Sequence, residues 1–439
     1  TTPKERDGKV SNLRNINDAT VTMGGDLFKN PTYRNVAPRL GFAWDVTGDG
    51  RMAVRGGAGM FYEQPLFYLY RSPIFRSVPF VDRGVTSRPV LPIDISKLGS
   101  GGVPDTEPFP YDLNSTYTVQ YNLNVQRELP FFGTVASLNY MSSRGHNLFG
   151  QGDINLAIPE IRPDGTQFWA AGAKRRNPNF GTVRSVLQGF RSEYNGVSFG
   201  LEKRRSNGFA AQLSYTYGNS KDNRSGAGGR LEFRNGQSRT FDPYNIDLDW
   251  GRSDFDVRHN LTANASYDLP FGKGKVYGGW QINVIGTYAS GVPFSPIIPG
   301  DPDRDGSTEN PGRPDLVPGC NSNVVPGGRS ANLWFNPQCF AFPTPGTRGN
   351  AKRNSLEGPA LATVDFAIVK TTPITGGLQV QLRLEVFNAF NRANFDIPLN
   401  DPDGSAIFDD KGNRLADAGK ISALATDGRE VQFAIRILY

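Results

Sequence analysis

An all-β fold of antiparallel strands is predicted by three observations: segments of alternating apolar and polar residues, hairpin turns between them, and a composition rich in turn formers. The alternation has a period of two, the signature of strands with two chemically different faces. It is cleanest at Tyr117, Val119, Tyr121, Leu123 and Val125, with Thr118, Gln120, Asn122 and Asn124 between them. It recurs at Leu378, Val380, Leu382, Leu384 and Val386 against Gln379, Gln381, Arg383 and Glu385. The 439 residues include 51 Gly and 32 Pro, and are 11% aromatic but only 37% hydrophobic. That balance suits many strands joined by turn-rich connections better than packed helices.

In chain order, strands of mostly about ten residues are expected around 40–44, 54–62, 117–125, 135–141, 197–201, 209–217, 261–269, 280–288, 364–368, 378–386 and 431–439, eleven in all. The connections alternate in length. The short ones, at 47–51, 130–133, 206–208, 270–274 and 372–377, are rich in Gly, Pro or Asn and read as hairpin turns. The long ones, at roughly 63–114, 144–192, 220–253, 291–358 and 391–427, hold most of the Pro, Gly, Asp, Asn and Arg.

Structureless loops of that length argue against a compact soluble domain. A transmembrane β-barrel, by contrast, has short periplasmic turns on one rim and long extracellular loops on the other, with one strand face to lipid and one to the lumen. A secreted sandwich or propeller would share the periodicity, so the loop asymmetry decides between them. Aromatics near strand ends (Trp44, Tyr62, Tyr140, Tyr217, Tyr267, Tyr288, Tyr439) fit the interfacial girdles of such a barrel. The formal net charge of +6 comes from scattered basic residues with no basic helix or nucleic-acid motif, so no nucleic-acid partner is expected.

Eleven crossings is an odd number, whereas bacterial single-chain barrels use even numbers. With the last strand running to the periplasmic rim, residues 1–36 fall in an extracellular loop and 37–439 supply the strands and loops. The expectation is a piece of a longer barrel, which also accounts for a polar start, TTPKERDGKV, that is no signal peptide.

The stretch APRLGFAWDVTGDGRMAVRGGAGMFYE (37–63) resembles the barrel of TonB-dependent outer-membrane receptors, especially the Oar-like branch, as does YNLNVQRELPFFGTVASLNYMSSRGHNL (121–148). So do YNGVSFGLEKRRSNGFAAQLSYTYGNSKDN (194–223), SDFDVRHNLTANASYDLPFG (253–272), RNSLEGPALATVDFAIVKTTPI (353–374) and LRLEVFNAFNRANF (382–395). The series covers essentially the whole chain in order. The resemblance implies a bacterial outer-membrane location and a plugged twenty-two-stranded barrel, of which eleven strands form the C-terminal half. It implies energised import of an extracellular ligand through a TonB complex, which is contacted by an N-terminal region outside this sequence, as is the plug. A barrel used for surface adhesion or assembly is the alternative. Phe433 and Tyr439, on the alternating ending VQFAIRILY, resemble the signal by which such barrels are handed to their assembly machinery.

No phosphate-cradling loop is found, neither His146 nor His259 lies in a metal-ligand spacing, and the one GxSxG match, GVSFG (196–200), falls within an expected strand and not at a strand-to-helix turn. Both histidines are expected at the surface or rim. The run RGGAG (55–59) is expected to permit bending or close packing within a strand. Cys320 and Cys339 lie in one predicted extracellular loop and suggest a disulfide, with free thiols as the other reading. Asp301, Asp303 and Asp305 in GDPDRDGSTEN resemble the first half of a calcium loop, although the twelfth position is Gly312 and not Glu. The same residues also read as a solvated acidic turn. FYLYRSPIFRSVPF (67–80) alternates rings with Arg, and either lines an outward binding surface or packs its loop.

Overall fold

The computed structural model describes residues 4–5, 11–29, 35–71, 76–80, 103–130, 133–226, 239–272, 274–310 and 312–439. Its main sheet runs through β1 (Arg39–Asp45), β2 (Met52–Glu63), β3 (Thr116–Glu128), β4 (Thr134–Asp153), β5 (Arg184–Ser206) and β6 (Phe209–Asp222). It continues through β7 (His259–Asp268), β8 (Trp280–Ala289), β9 (Leu361–Pro373), β10 (Gln379–Phe387) and β11 (Glu430–Leu438). Each strand pairs with the next, and every such pairing is antiparallel. Strands β1 and β11 are the edges of this ladder among the described residues.

All eleven expected strands are present, several of them longer than their alternation indicated and β4 and β5 most of all. Sheet takes up both ends of the connection expected at 144–192, because β4 runs on to Asp153 and β5 starts at Arg184, with Arg184 opposite Asp153. Register shifts between Gln188 and Phe190 and between Phe190 and Ser192 break the period there. Phe149 and Val186 on this extension are buried among loop residues, so it faces protein where the rest of the sheet does not.

Register carries the apolar set from strand to strand. One row reads Trp44, Val54, Val125, Leu138, Phe199, Tyr215, Leu261 and Tyr288 across eight strands. Another reads Phe209, Tyr267, Ile282, Ile368, Leu384 and Phe433. Much of this face is open: Leu40 is 80% exposed, Phe433 79% and Ile435 74%, while Val431, Ile437 and Tyr439 are also exposed. The opposite face is polar, with Asn124, Asn139, Ser198, Thr216 and Asn260 in register. Ser198 Oγ and Thr216 Oγ1 are 2.8 Å apart, and Arg55 donates to Gln126 Oε1 at 3.0 Å.

Turn chemistry sets that register. Asn207 and Gly208, with φ of 50° and 77°, form the two-residue connection between β5 and β6, where positive φ at both positions matches the twist of the strands. In the glycine run of β2 the reason is close packing: a Cβ on Gly56 would lie 2.4 Å from the ring of Phe42.

The buried clusters sit at the long-loop end. Phe294, Ile298, Phe335, Phe340, Leu356, Ile407 and Phe408 pack together from the β8–β9 and β10–β11 connections. Leu27, Phe28, Leu69, Phe109 and Leu113 join Phe149 and Val186 in a second cluster, and Leu13, Phe180 and Val183 form a third.

Phe199→Arg, on the apolar face at mid-strand, is expected to weaken folding into bilayers by roughly 2–4 kcal/mol. Ser198→Arg on the polar face should cost about 1 kcal/mol or less. Urea titration of protein folded into vesicles measures both, and equal costs would contradict the assignment of faces.

Candidate functional site

The long connections meet above the sheet through buried ion pairs. Arg353, between β8 and β9, donates to Asp222 Oδ1 at 2.6 Å and to Asp254 Oδ1 at 2.7 Å; the first lies at the end of β6 and the second between β6 and β7. Its Nη2 also reaches Ser225 Oγ at 2.7 Å, and Asn354 Nδ2 reaches Asp254 Oδ1 at 2.7 Å. Arg313 pairs with Asp249, which also accepts from Thr240 and from the amide of Phe241. Arg184 joins Glu107 to Glu309, and Arg175 meets Asp153 at 3.2 Å. Arg353, Arg313, Asp222 and Asp249 are all nearly inaccessible to water. Charges so placed are strongly interdependent, because removing one strands its partner in a low-dielectric interior.

The three aspartates of GDPDRDG come together, with ligand oxygens within 4.8 Å of one another. The expectation of a solvated acidic turn is corrected here: Asp303 is 7% exposed and Asp305 2%. The loop is buried because the β6–β7 and β8–β9 connections close over it. Arg348 donates to Asp303 Oδ2 at 3.1 Å and to Asp305 Oδ2 at 3.2 Å, and also pairs with Asp242. Its guanidinium lies 4.6 Å from the ring centroid of Trp169, whose Nε1 donates to Ala157 O at 2.9 Å. One arginine therefore faces three carboxylates, and Asp301 adds a fourth nearby.

The imbalance appears in the acidities. Burial, then the neighbouring Asp303, pushes Asp305 up to about 8 and Asp301 up to about 6. Burial also raises Asp303, against the pull of Arg348. Asp301 Oδ2 accepts from the amide of Gly306 at 3.1 Å, whereas its buried Oδ1 has no hydrogen-bond partner. Hard oxygen donors crowded in this way suit a divalent cation.

Cys320 and Cys339 are joined as a disulfide, with Cα atoms 5.4 Å apart, at the edge of the cluster around Phe335 and Phe340. Residues 72–75 of FYLYRSPIFRSVPF lie outside the described residues. Of the remainder, Leu69 is buried with Tyr68 and Tyr70 packed beside it, Arg76 pairs with Glu107 at 3.7 Å, and Phe67 and Phe80 are exposed. His146 is exposed and stacks on Tyr117, while exposed His259 shares a 2.8 Å hydrogen bond through Nδ1 with Tyr215. Phe433 lies on the edge strand opposite Leu384 and Tyr439 just beyond its end, and both are exposed.

The arginine–aspartate pairs were not identified from the sequence. Their only signal is compositional, namely the acidic run from Asp242 to Asp256 in one loop and Arg313, Arg348 and Arg353 in the next.

Long loops on one rim, tight turns on the other and an outward apolar face define a barrel protein of the bacterial outer membrane. A family profile described as outer membrane beta barrel domain matches residues 1–432, and the chain belongs to that family. Among solved structures it is similar to the outer membrane transporter YddB of Escherichia coli, at 11% identity and a TM-score of 0.46, covering 91% of this chain and 40% of that one. It is similar to the FrpB iron transporter of Neisseria meningitidis, at 12% identity, a TM-score of 0.42 and coverage of 92% and 39%. The ferric enterobactin receptor PfeA of Pseudomonas aeruginosa matches at 13% identity, a TM-score of 0.44 and coverage of 92% and 40%. The chain thus spans about 40% of the length of these structures. No curated protein matches it.

Arg353→Met should destabilise the loop block by about 3–5 kcal/mol, because Asp222 and Asp254 lose their buried counter-charge. Arg329→Met, at an exposed arginine, should change it by no more than ~0.5 kcal/mol. Hydrogen exchange at residues 222–226 and 353–357 reads the difference, and unchanged protection in the Arg353 variant would contradict the role given to the pair.

Proposed function

We propose that this chain is the C-terminal part of a TonB-energised receptor that imports an extracellular ligand across the outer membrane. The observation that carries the reading is the set of long connections, cross-tied by buried ion pairs, standing on the rim of a sheet whose inner face is polar. A ligand would settle on the outward surface of this block and against the polar ladder of Asn124, Asn139, Ser198 and Thr216. Passage would follow displacement of a plug, driven from the periplasm through a TonB contact, with plug and contact both supplied outside this chain. The open edges at β1 and β11 suit pairing with further strands of the same barrel.

Loss of the gene is expected to produce a growth defect on at least one nutrient in a panel of carbon, nitrogen and metal sources. Loss of TonB should reproduce that defect. A defect in surface attachment that persists without TonB would instead support the alternative, a barrel used for adhesion or assembly.

The aspartate cluster carries a second proposal: Ca²⁺ binds at Asp301, Asp303 and Asp305, with the unpartnered Asp301 Oδ1 as the donor that no protein group satisfies. The ion would supply the positive charge that Arg348 alone does not, and would fasten the β8–β9 loop from outside the cell. Isothermal calorimetry on the full-length protein should show calcium binding that Asp301→Asn weakens. No heat at millimolar calcium would remove the proposal.

A further inference from the structure

The outward face of the sheet is not uniformly filled. Across β6 to β9 its side chains shrink along a diagonal: Ala211 opposite Ala265, then Ala263 opposite Gly286, then Ala362. The result is an open trough with two adjoining lobes of about 460 and 300 Å³, which share Ala263, Gly286 and Val364. Bulkier neighbours, among them Leu201, Leu213, Leu261 and Tyr288, form its walls.

The trough rises by two steps of paired residues from Ala265 to Leu261. At ~3.4 Å per residue this is about 14 Å along the strand, or roughly 10–11 Å along the membrane normal at the ~35–45° tilt of barrel strands, against a ~30 Å hydrocarbon core. It therefore fits within one leaflet, and its upper end lies at the long-loop rim, the extracellular side of such a barrel.

The two ends differ in charge chemistry. At the turn end, Lys203 bends away to Arg204 O at 2.9 Å and to Ser206 Oγ. At the loop end stand Phe390, 79% exposed, and Arg392. The backbone of Arg392 is clamped by Asn388, whose Oδ1 accepts from its amide at 3.0 Å and whose Nδ2 donates to its carbonyl at 3.0 Å. Its Nη1 donates to Asn394 Oδ1 at 2.9 Å. Unlike the arginines of the loop block, it pairs with no carboxylate among the described residues. An exposed and positioned guanidinium without a counter-charge, set where an apolar trough meets the membrane surface, matches an anionic headgroup above an acyl chain.

We propose that this trough is a binding site for one phosphate-bearing acyl lipid of the loop-side leaflet, its chain lying over Ala263, Gly286 and Ala362 and its phosphate on Arg392. The inference rests on the membrane-facing register and not on the import reading. A bound lipid there would anchor the β10–β11 loop to the bilayer.

The test is native mass spectrometry of the full-length protein, equilibrated in detergent with phosphatidylglycerol or with phosphatidylcholine of the same chains. Wild type should retain one phosphatidylglycerol in preference to phosphatidylcholine. Arg392→Gln should weaken that retention roughly fivefold, about what one basic side chain contributes at an anionic lipid surface, without changing phosphatidylcholine. Gly286→Leu should abolish retention of both by filling the trough. The fold admits this change, since a Cβ at Gly286 meets nothing closer than Ala263 O at 4.0 Å. Heat-modifiable mobility confirms that each variant is folded. Equal retention of the two lipids by wild type, or unchanged phosphatidylglycerol retention in either variant, overturns the proposal. So does a dimer of the chain, in place of bound lipid, that Gly286→Leu disperses.

Discussion

A bilayer offers no hydrogen-bond partners, so a membrane-crossing backbone must satisfy every N–H and C=O from within the protein. The rest of the structure follows from that constraint. The antiparallel ladder pairs each strand with its neighbours, and among the described residues the main sheet ends in two edge strands, β1 and β11. Because lipid stands on one side and a wet lumen on the other, neither face can serve as an ordinary core. The apolar row from Trp44 to Tyr288 therefore lies outward, and the Asn, Ser and Thr row lies inward.

Conventional packing is displaced to the loops. There Phe294, Phe335, Phe340 and Ile407 are fully buried, alongside arginines and aspartates that are as dry as they are. Beside these apolar clusters the ion pairs supply fixed joints between the long connections. Replacing such pairs with apolar residues of matching shape is often neutral or stabilising in other proteins. Their value here is geometric, since Arg353 ties β6 and the β6–β7 loop to the β8–β9 loop at defined points.

The strands were legible because a two-sided environment writes itself into alternate residues, and tight turns such as Asn207–Gly208 mark the ends. The extension of β4 and β5 was not, because RGHNLFGQGD packs against loops and its register slips at Gln188 and Phe190, so no period survives. Spacing alone drew Asp301, Asp303 and Asp305 together on paper as it does in space. Their burial was invisible, since it depends on Asp242 and Arg348, which are 106 residues apart in the chain. Arg353 and Asp222 are separated by 131 residues, and nothing local announces that they meet. The trough over Ala263 and Gly286 is similarly hidden, because its small residues come from different strands and align only once the register is known.

The central claim is that the apolar face of the sheet meets lipid. The most direct measurement places single cysteines at each position from 380 to 386 of the full-length protein in outer-membrane vesicles and reacts them with a membrane-impermeant thiol reagent. Gln381, Arg383 and Glu385 should label, whereas Val380, Leu382, Leu384 and Val386 should resist until the membrane is dissolved. Uniform labelling along β10, or the opposite alternation, would contradict the account.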